Sequence, residues 1–201
     1  KKVLGGEAHA LVMALKNAAV DVTFWITRPT ESYLPACRSK AEGYNDISGY
    51  WNSEQMRKAC GDFSSYPALK AADEYNKYYP VPATTTGWFL PSSGQWWDIL
   101  QNLGSCHALA QSDQQNSSST EDPNDGFVWG NTGNVAAALN GWMSEIAAEG
   151  KSTSDGSMWF WSSSEYSKDL SLCRAINTYG WLKSRYASKK FWGHVRPILA
   201  F

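Results

Sequence analysis

The sequence is short of the residues that usually carry catalysis. It has three histidines, His9, His107 and His194, and lacks a Gly-x-Ser-x-Gly elbow, a His-Glu-x-x-His pair and a phosphate-cradling glycine loop. The serine runs at Ser92, Ser93 and Ser162 to Ser164 read as caps and turn residues. Cys106 adjoins His107, but sequence neighbours rarely face one another, so this cysteine reads as structural. These absences predict a protein that is not an enzyme. The four cysteines, Cys37, Cys60, Cys106 and Cys173, lack the paired spacing of a zinc site and are too few for a disulfide-dense scaffold. Two disulfides or four buried thiols fit equally, and no metal or cofactor is expected. Long apolar runs are missing too: the stretch from Ala8 to Val20 is broken by Lys16 and Asn17 and is too short to span a bilayer. A net charge of -1 gives no global reason to expect nucleic acid or an anionic membrane as partner.

What is abundant is aromatic: 11 Trp, 10 Tyr and 7 Phe in 201 residues. Such rings fill a core, and the same amphipathic rings suit a binding surface. A chain of this length fits one domain, here 1–201, read as the C-terminal part of a longer protein. Charge is unevenly placed along it. Lys168, Arg174, Lys183, Arg185, Lys189, Lys190 and Arg196 face the single acid Asp169 within one segment, leaving the rest of the chain acidic.

Periodicity and punctuation predict mixed α+β structure. Leu11 to Met13 and the run Val20, Val22, Phe24, Trp25 read as early strands, followed by a loop-rich section through Pro29, Pro35, Gly43 and Gly49. Leu69, Ala72 and Tyr75 recur at helical spacing between Pro67 and Pro80, predicting a helix over 66–79. Gly87 to Pro91 reads as a short buried strand. It runs into Ser92 and Gln95 at capping-box spacing, and then into Trp96, Ile99, Leu100 and Leu103, a second helix closed by Gly104. The polar stretch 111–125 reads as an exposed, mobile loop whose Glu121, Asp122 and Asp125 need no calcium to explain them. Val135, Ala138, Leu139, Trp142 and Ile146 form one stripe of a third helix over 135–149. Strands then follow at 158–161, 174–178, 181–186 and 191–201.

Three segments carry a resemblance: Gly-Trp-Phe-Leu-Pro-Ser-Ser-Gly-Gln-Trp-Trp-Asp at 87–98, Phe-Trp-Ser-Ser-Ser-Glu-Tyr at 160–166, and the terminal Val-Arg-Pro-Ile-Leu-Ala-Phe at 195–201. In order and spacing they resemble bacterial surface and phage proteins of the C-type-lectin-like fold, including the variable proteins of diversity-generating retroelements and the related major paralogous domain family. The likeness runs from Gly6 to Phe201. It implies a small, twisted, loop-rich antiparallel sheet flanked by two to three helices, with the chain ends near one another. It also implies display: in the variable proteins the stretch between the second and third motifs is diversified by adenine-specific mutagenesis on a fixed framework. The corresponding segment here is about 166–194, on a bacterial surface or a phage tail, recognising a protein or glycan receptor, with oligomers expected where the domain is part of a fibre.

The genetic rule lets an Asn codon AAC become a codon for Asp, Leu, Ser, Cys, Arg, Tyr, Phe, Gly or His, but not Lys or Trp. Asp169, Leu170, Ser171, Leu172, Cys173, Arg174, Tyr179, Ser184, Arg185, Tyr186, Phe191, Gly193 and His194 are compatible with it. Trp181, Lys183, Lys189, Lys190 and Trp192 are not, and were fixed or came from other codons. The candidate contacts are Asp169, Leu170, Leu172, Arg174, Tyr179, Trp181, Ser184, Arg185, Tyr186, Phe191, Trp192 and His194, rich in the Tyr, Trp and Arg of binding hot spots. Tyr186 and Trp192 are expected to matter for binding and not for stability. Strand alternation turns about half of any such set inward, and Trp161, Arg196, Pro197 and Phe201 are assigned to the framework. The calcium-site motifs of sugar-binding lectins, Glu-Pro-Asn and Trp-Asn-Asp, are absent, and Glu-Asp-Pro-Asn at 121–124 does not replace them. Two other readings are a fixed pilus or surface subunit, and an oxidase like the formylglycine-generating enzymes that share this fold.

Overall fold

The computed structural model describes residues 2–3, 6–7, 10–106, 119–122, 126–129, 135–146, 157–177 and 182–201. The chain opens with four short strands, β1 (Lys2–Val3), β2 (Gly6–Glu7), β3 (Leu11–Met13) and β4 (Ala19–Val22). Four helices follow, α1 (Lys40–Asn45), α2 (Gly49–Cys60), α3 (Pro67–Tyr78) and α4 (Ser93–Asn102). Then come β5 (Ser119–Asp122), β6 (Gly126–Trp129), α5 (Val135–Ser144), and the closing strands β7 (Ser157–Glu165), β8 (Leu170–Asn177), β9 (Leu182–Ser188), β10 (Gly193–Val195) and β11 (Ile198–Ala200). The class is α+β, as the sequence predicts.

A seven-stranded sheet in the order β4-β10-β7-β8-β9-β6-β5 organises the molecule, antiparallel except where β10 runs parallel to β7. Separately, β3 pairs with β11, and Ala10 and Phe201 exchange backbone hydrogen bonds at 3.2 and 3.3 Å. Early and late parts of the chain are thereby joined. Both faces of the sheet are covered at its centre. Phe160, Leu172, Ile176 and Leu182 pack with Trp96, Leu100, Val135 and Leu139 of α4 and α5. Trp161, Cys173, Ala187 and Val195 pack on Phe24, Met56, Phe63, Tyr66 and Leu69 on the other side.

Local chemistry explains the elements the sequence signals well. Pro67 sits in the first turn of α3, Leu69, Ala72 and Tyr75 are buried along it, and the helix stops before Pro80. In α4 the capping box forms, with the Ser92 backbone N–H donating to Gln95 Oε1 at 2.9 Å.

Four expectations need correction. The section read as loop contains α1 and α2. The side that α2 buries is Gly49, Asn52, Ser53 and Met56, so it has no apolar stripe to read. Gly49 is there for closeness: a Cβ would stand 2.2 Å from Gln95 Oε1. Second, α5 ends at Ser144 and buries Val135, Ala136, Leu139 and Met143, while Trp142 and Ile146 are exposed. Consecutive helical residues are turned by about 100°, and the face set by Val135, Leu139 and Met143 leaves Trp142 to one side. Third, residues 119–122 of the expected loop form β5, whose hydrogen bonds come from β6; 111–118 and 123–125 lie outside the described residues. Fourth, the last strand is divided in two by Arg196 and Pro197, and Gly87 to Pro91 contributes a single bridge, Phe89 to Ile198.

Candidate ligand-binding face

Two of the recognisable motifs are stitched to each other. Trp96 Nε1 donates to the Trp161 carbonyl at 3.0 Å, the Ser93 N–H to Ser164 Oγ at 2.7 Å, and the Ser163 N–H to the Pro91 carbonyl at 2.8 Å. Ser162 Oγ donates across to the Leu172 carbonyl at 2.7 Å, and Ser164 Oγ to Asp46. Ser92, Ser93 and Ser162 to Ser164 are all buried and hydrogen-bonded. They hold α4 against β7 and fix the position of the strands that follow.

Register then decides what those strands show. Trp161, Cys173 and Arg185 are opposite one another across β7, β8 and β9, so they share a face, and Trp159 lies two residues along the same face. Trp161 and Cys173 are covered by the second core cluster, whereas Arg185 reaches the rim. There its guanidinium carbon lies 5.1 Å from the centroid of Trp159 and 5.3 Å from that of Phe191, two rings that meet edge to face at 5.9 Å. A planar cation against two aromatic faces is held in one orientation. Next to Phe191, Trp192 is 64% exposed. On the other side Lys190 extends over the Trp25 ring at 5.5 Å, and Ile26 is exposed beyond it.

A buried ion pair supports this rim from below. Lys189 Nζ lies 2.7 Å from Glu165 Oε2, both side chains at most 5% exposed. Burial pushes the lysine below its usual range while the Glu165 charge opposes the shift. The Lys189 carbonyl accepts from the Phe24 and Trp25 amides, and its N–H donates to the Asp169 carbonyl. The turn 189–192 is thus locked to the segment 24–28 and to the start of β8. Arg28 closes the contact with a two-pronged bond to Asp169, 2.6 Å on each oxygen, which raises the arginine and lowers the acid from their ordinary values.

The expected contacts separate under this geometry. Arg185 and Phe191 come together at the rim, the exposed Trp192 follows in sequence, and Asp169 is tied to Arg28. Leu172 and Ser184 are 2% and 1% exposed, so neither is a surface contact. Tyr186 is also buried, its ring against Tyr166 with centroids 4.3 Å apart. It too is withdrawn, and the expectation that its loss spares stability goes with it. Leu170 packs against the same core. His194 is half-buried in β10, 4.0 Å from Asp21, and burial lowers its pKa. Arg174 pairs in register with Phe160 and Ser184. Tyr179 and Trp181 lie outside the described residues.

Framework assignments divide as well. Trp161 and Arg196 are buried, and desolvation brings Arg196 down to about 10; Phe201 is exposed. Trp159, Arg28, Lys190 and Ile26 belong to the rim, and the sequence reading missed them as contacts. Trp159 had a signal in its alternation with Trp161, but Arg28 meets Asp169 from 141 residues away and has none.

Among the described residues no group of three or more His, Cys, Asp or Glu is placed to hold a metal ion, and no helix is long and apolar enough to cross a membrane. Cys37, Cys106 and Cys173 are buried and Cys60 half-buried, each standing as a thiol, with burial raising the pKa of Cys60.

No protein-family model matches the chain, and no curated protein matches it. Its fold is similar to that of a fimbrial protein from Bacteroides ovatus ATCC 8483, with a TM-score of 0.59 at 16% sequence identity. The match covers 96% of this chain and 36% of the fimbrial protein, so the chain spans just over a third of that protein's length.

Proposed function

We propose that the chain is a ligand-binding display domain of the C-type-lectin-like fold, working on a bacterial surface or a phage tail, that recognises its receptor through the rim of the seven-stranded sheet and performs no chemistry. The observation that carries this reading is the cluster of Trp159, Arg185 and Phe191, with the exposed Trp192 next in sequence. It combines rigid aromatic area with a pre-oriented guanidinium, the composition of a binding hot spot. The three motifs at 87–98, 160–166 and 195–201 support the fold family, and their buried, hydrogen-bonded residues suit a framework that tolerates change around it. Diversification of the segment 166–194 by a retroelement belongs to the same proposal. Under it, the exposed Phe191 and the half-buried Asp169 and Arg185 are the codons that vary to effect.

The fold likeness to a fimbrial protein favours a second reading, a fixed surface-fibre subunit or adhesin. The two differ in whether the rim contacts a foreign receptor or a neighbouring subunit. An oxidase of the formylglycine-generating kind is disfavoured by cysteines that are buried or raised in pKa, where such chemistry calls for reactive thiolates.

Panels of bacterial outer-surface proteins and glycans, probed with the intact chain and with Trp192→Ala and Tyr186→Ala, test the proposal. We expect Trp192→Ala to lose binding while its stability changes by less than about 0.5 kcal/mol. Tyr186→Ala should instead lose about 3 kcal/mol as a core truncation. Ligands held equally well by Trp192→Ala, Phe191→Ala and Arg185→Gln would move recognition away from this rim.

A further inference from the structure

A cavity of about 540 Å³ between β3 and the C-terminal end of α3 shares no residue with the rim. Pockets that hold small ligands run from about 300 to about 1,000 Å³, so this one has room for an occupant. Val12, Met13 and Leu15 give it an aliphatic wall, and Tyr75, Tyr79 and Trp88 an aromatic one. The rings brace one another: Tyr75 stacks on Tyr79 with centroids 4.4 Å apart and meets Trp88 edge to face at 5.4 Å. Polar atoms on this wall are largely committed. Trp88 Nε1 donates to the Tyr79 carbonyl at 2.9 Å, and the Tyr75 hydroxyl is met by the Lys16 backbone. Val12 and Tyr79 are nonetheless exposed, which leaves apolar surface open at the mouth.

Charge gives the cavity a direction. Lys16 is the one charged residue on its lining, with Nζ 5.5 Å from the Tyr79 centroid. No ion pair engages this ammonium among the described residues. Arg196, bound to Asn17 Oδ1 and the Ala14 carbonyl, adds a second positive charge to the same stretch. Across Trp88, a smaller cavity of about 230 Å³ has its charges already matched, Arg57 against Asp73 at 2.7 Å and against Glu54 at 3.4 Å. The larger cavity instead sets apolar walls beside a cation that no acid answers.

We propose that this cavity binds a single-chain fatty acid, with the aliphatic tail between the two walls and the carboxylate on Lys16. A peptide ending in an apolar residue would bring the same carboxylate. Each of its amides, however, would be desolvated against walls with few polar atoms to answer it. A hydrocarbon tail carries no such groups, and every methylene it buries strengthens binding roughly threefold to fourfold.

The test is calorimetric titration of the intact chain with octanoate, decanoate, decanol and decyltrimethylammonium, each below its micelle concentration. We expect decanoate to bind roughly tenfold more tightly than octanoate, which is two methylenes shorter. It should also bind at least roughly tenfold more tightly than decanol, with decyltrimethylammonium the weakest. Lys16→Gln should bring decanoate down to the affinity of decanol and leave decanol unchanged, while Lys16→Arg keeps the preference. Val12→Glu puts an acid at the exposed mouth and should weaken decanoate at least roughly tenfold with an unchanged melting curve. Equal affinity for decanoate and decanol, a Lys16→Gln variant that holds decanoate as the parent does, or no binding of decanoate overturns the proposal. Trp192→Ala, at the rim, should leave decanoate binding as it is. Loss on that substitution would place the amphiphile on the rim and overturn the assignment to this cavity. Failure of the rim as a receptor face leaves these outcomes untouched, because the two sites share no residue.

Discussion

Lys189 shows what a single residue contributes and what its letter hides. In the sequence it is one of seven bases in a segment with a single acid; in the fold its ammonium is buried 2.7 Å from Glu165 and 5.3 Å from the centre of Phe24. Glu165 Oε1 is buried with no hydrogen-bond partner among the described residues, so Lys189 is what compensates this carboxylate. Lys189→Met would leave it uncompensated in the interior and is expected to cost about 3–5 kcal/mol, while adding Glu165→Leu should restore most of the loss. Urea unfolding of the single and double variants measures both. A single variant as stable as the parent would mean that the pair is not buried in solution. Nothing local in the sequence could have separated Lys189 from Lys190, because exposure here is set by contacts with residues 24 and 165. The same is true of Leu172, Ser184 and Tyr186, which satisfy the adenine rule and lie inside.

Elements were legible where punctuation and periodicity agreed. The helices α3 and α4 carry proline or capping signals at their starts and apolar residues at helical spacing, and both were readable to within a residue or two. The helices α1 and α2 were not, because their glycines read as breakers while serving close packing, and the side α2 buries is largely polar. Glycine is also the hinge of the first motif. A Cβ at Gly94 would stand 2.3 Å from the Tyr44 carbonyl oxygen and 2.6 Å from that of Asp46, both backbone atoms with little room to move. Gly94→Ala is therefore expected to destabilise by about 1–3 kcal/mol despite the better helix propensity of alanine. Thermal melting of this variant beside Gly141→Ala, where a Cβ meets nothing within 4 Å, checks it. Equal melting temperatures would show that α4 does not need this closeness.

At the scale of the molecule, one sheet carries core on both faces at its centre, and the proposed recognition surface lies at its rim. This is why a sequence segment proved a poor guide to a site. Within 166–194, Leu172, Cys173, Ser184, Tyr186, Ala187 and Lys189 are buried while Arg185 and Phe191 reach the rim, which is completed by Trp159 and by residues 25, 26 and 28 from the far end of the chain. The α+β class and the strand-rich C-terminal third could be read from period and composition. The partition of contacts could not, because it depends on which strands pair and which helices cover them.

The measurement that bears most directly on the central claim is the DNA sequence around the encoding gene, searched for a near-copy of the last part of the coding region and a reverse transcriptase beside it. Such a copy is expected, differing at adenines, with the altered codons at Asp169, Arg185 and Phe191 and with Leu172, Ser184 and Tyr186 unchanged. A locus without the copy, or one whose differences fall on those buried residues, would contradict it.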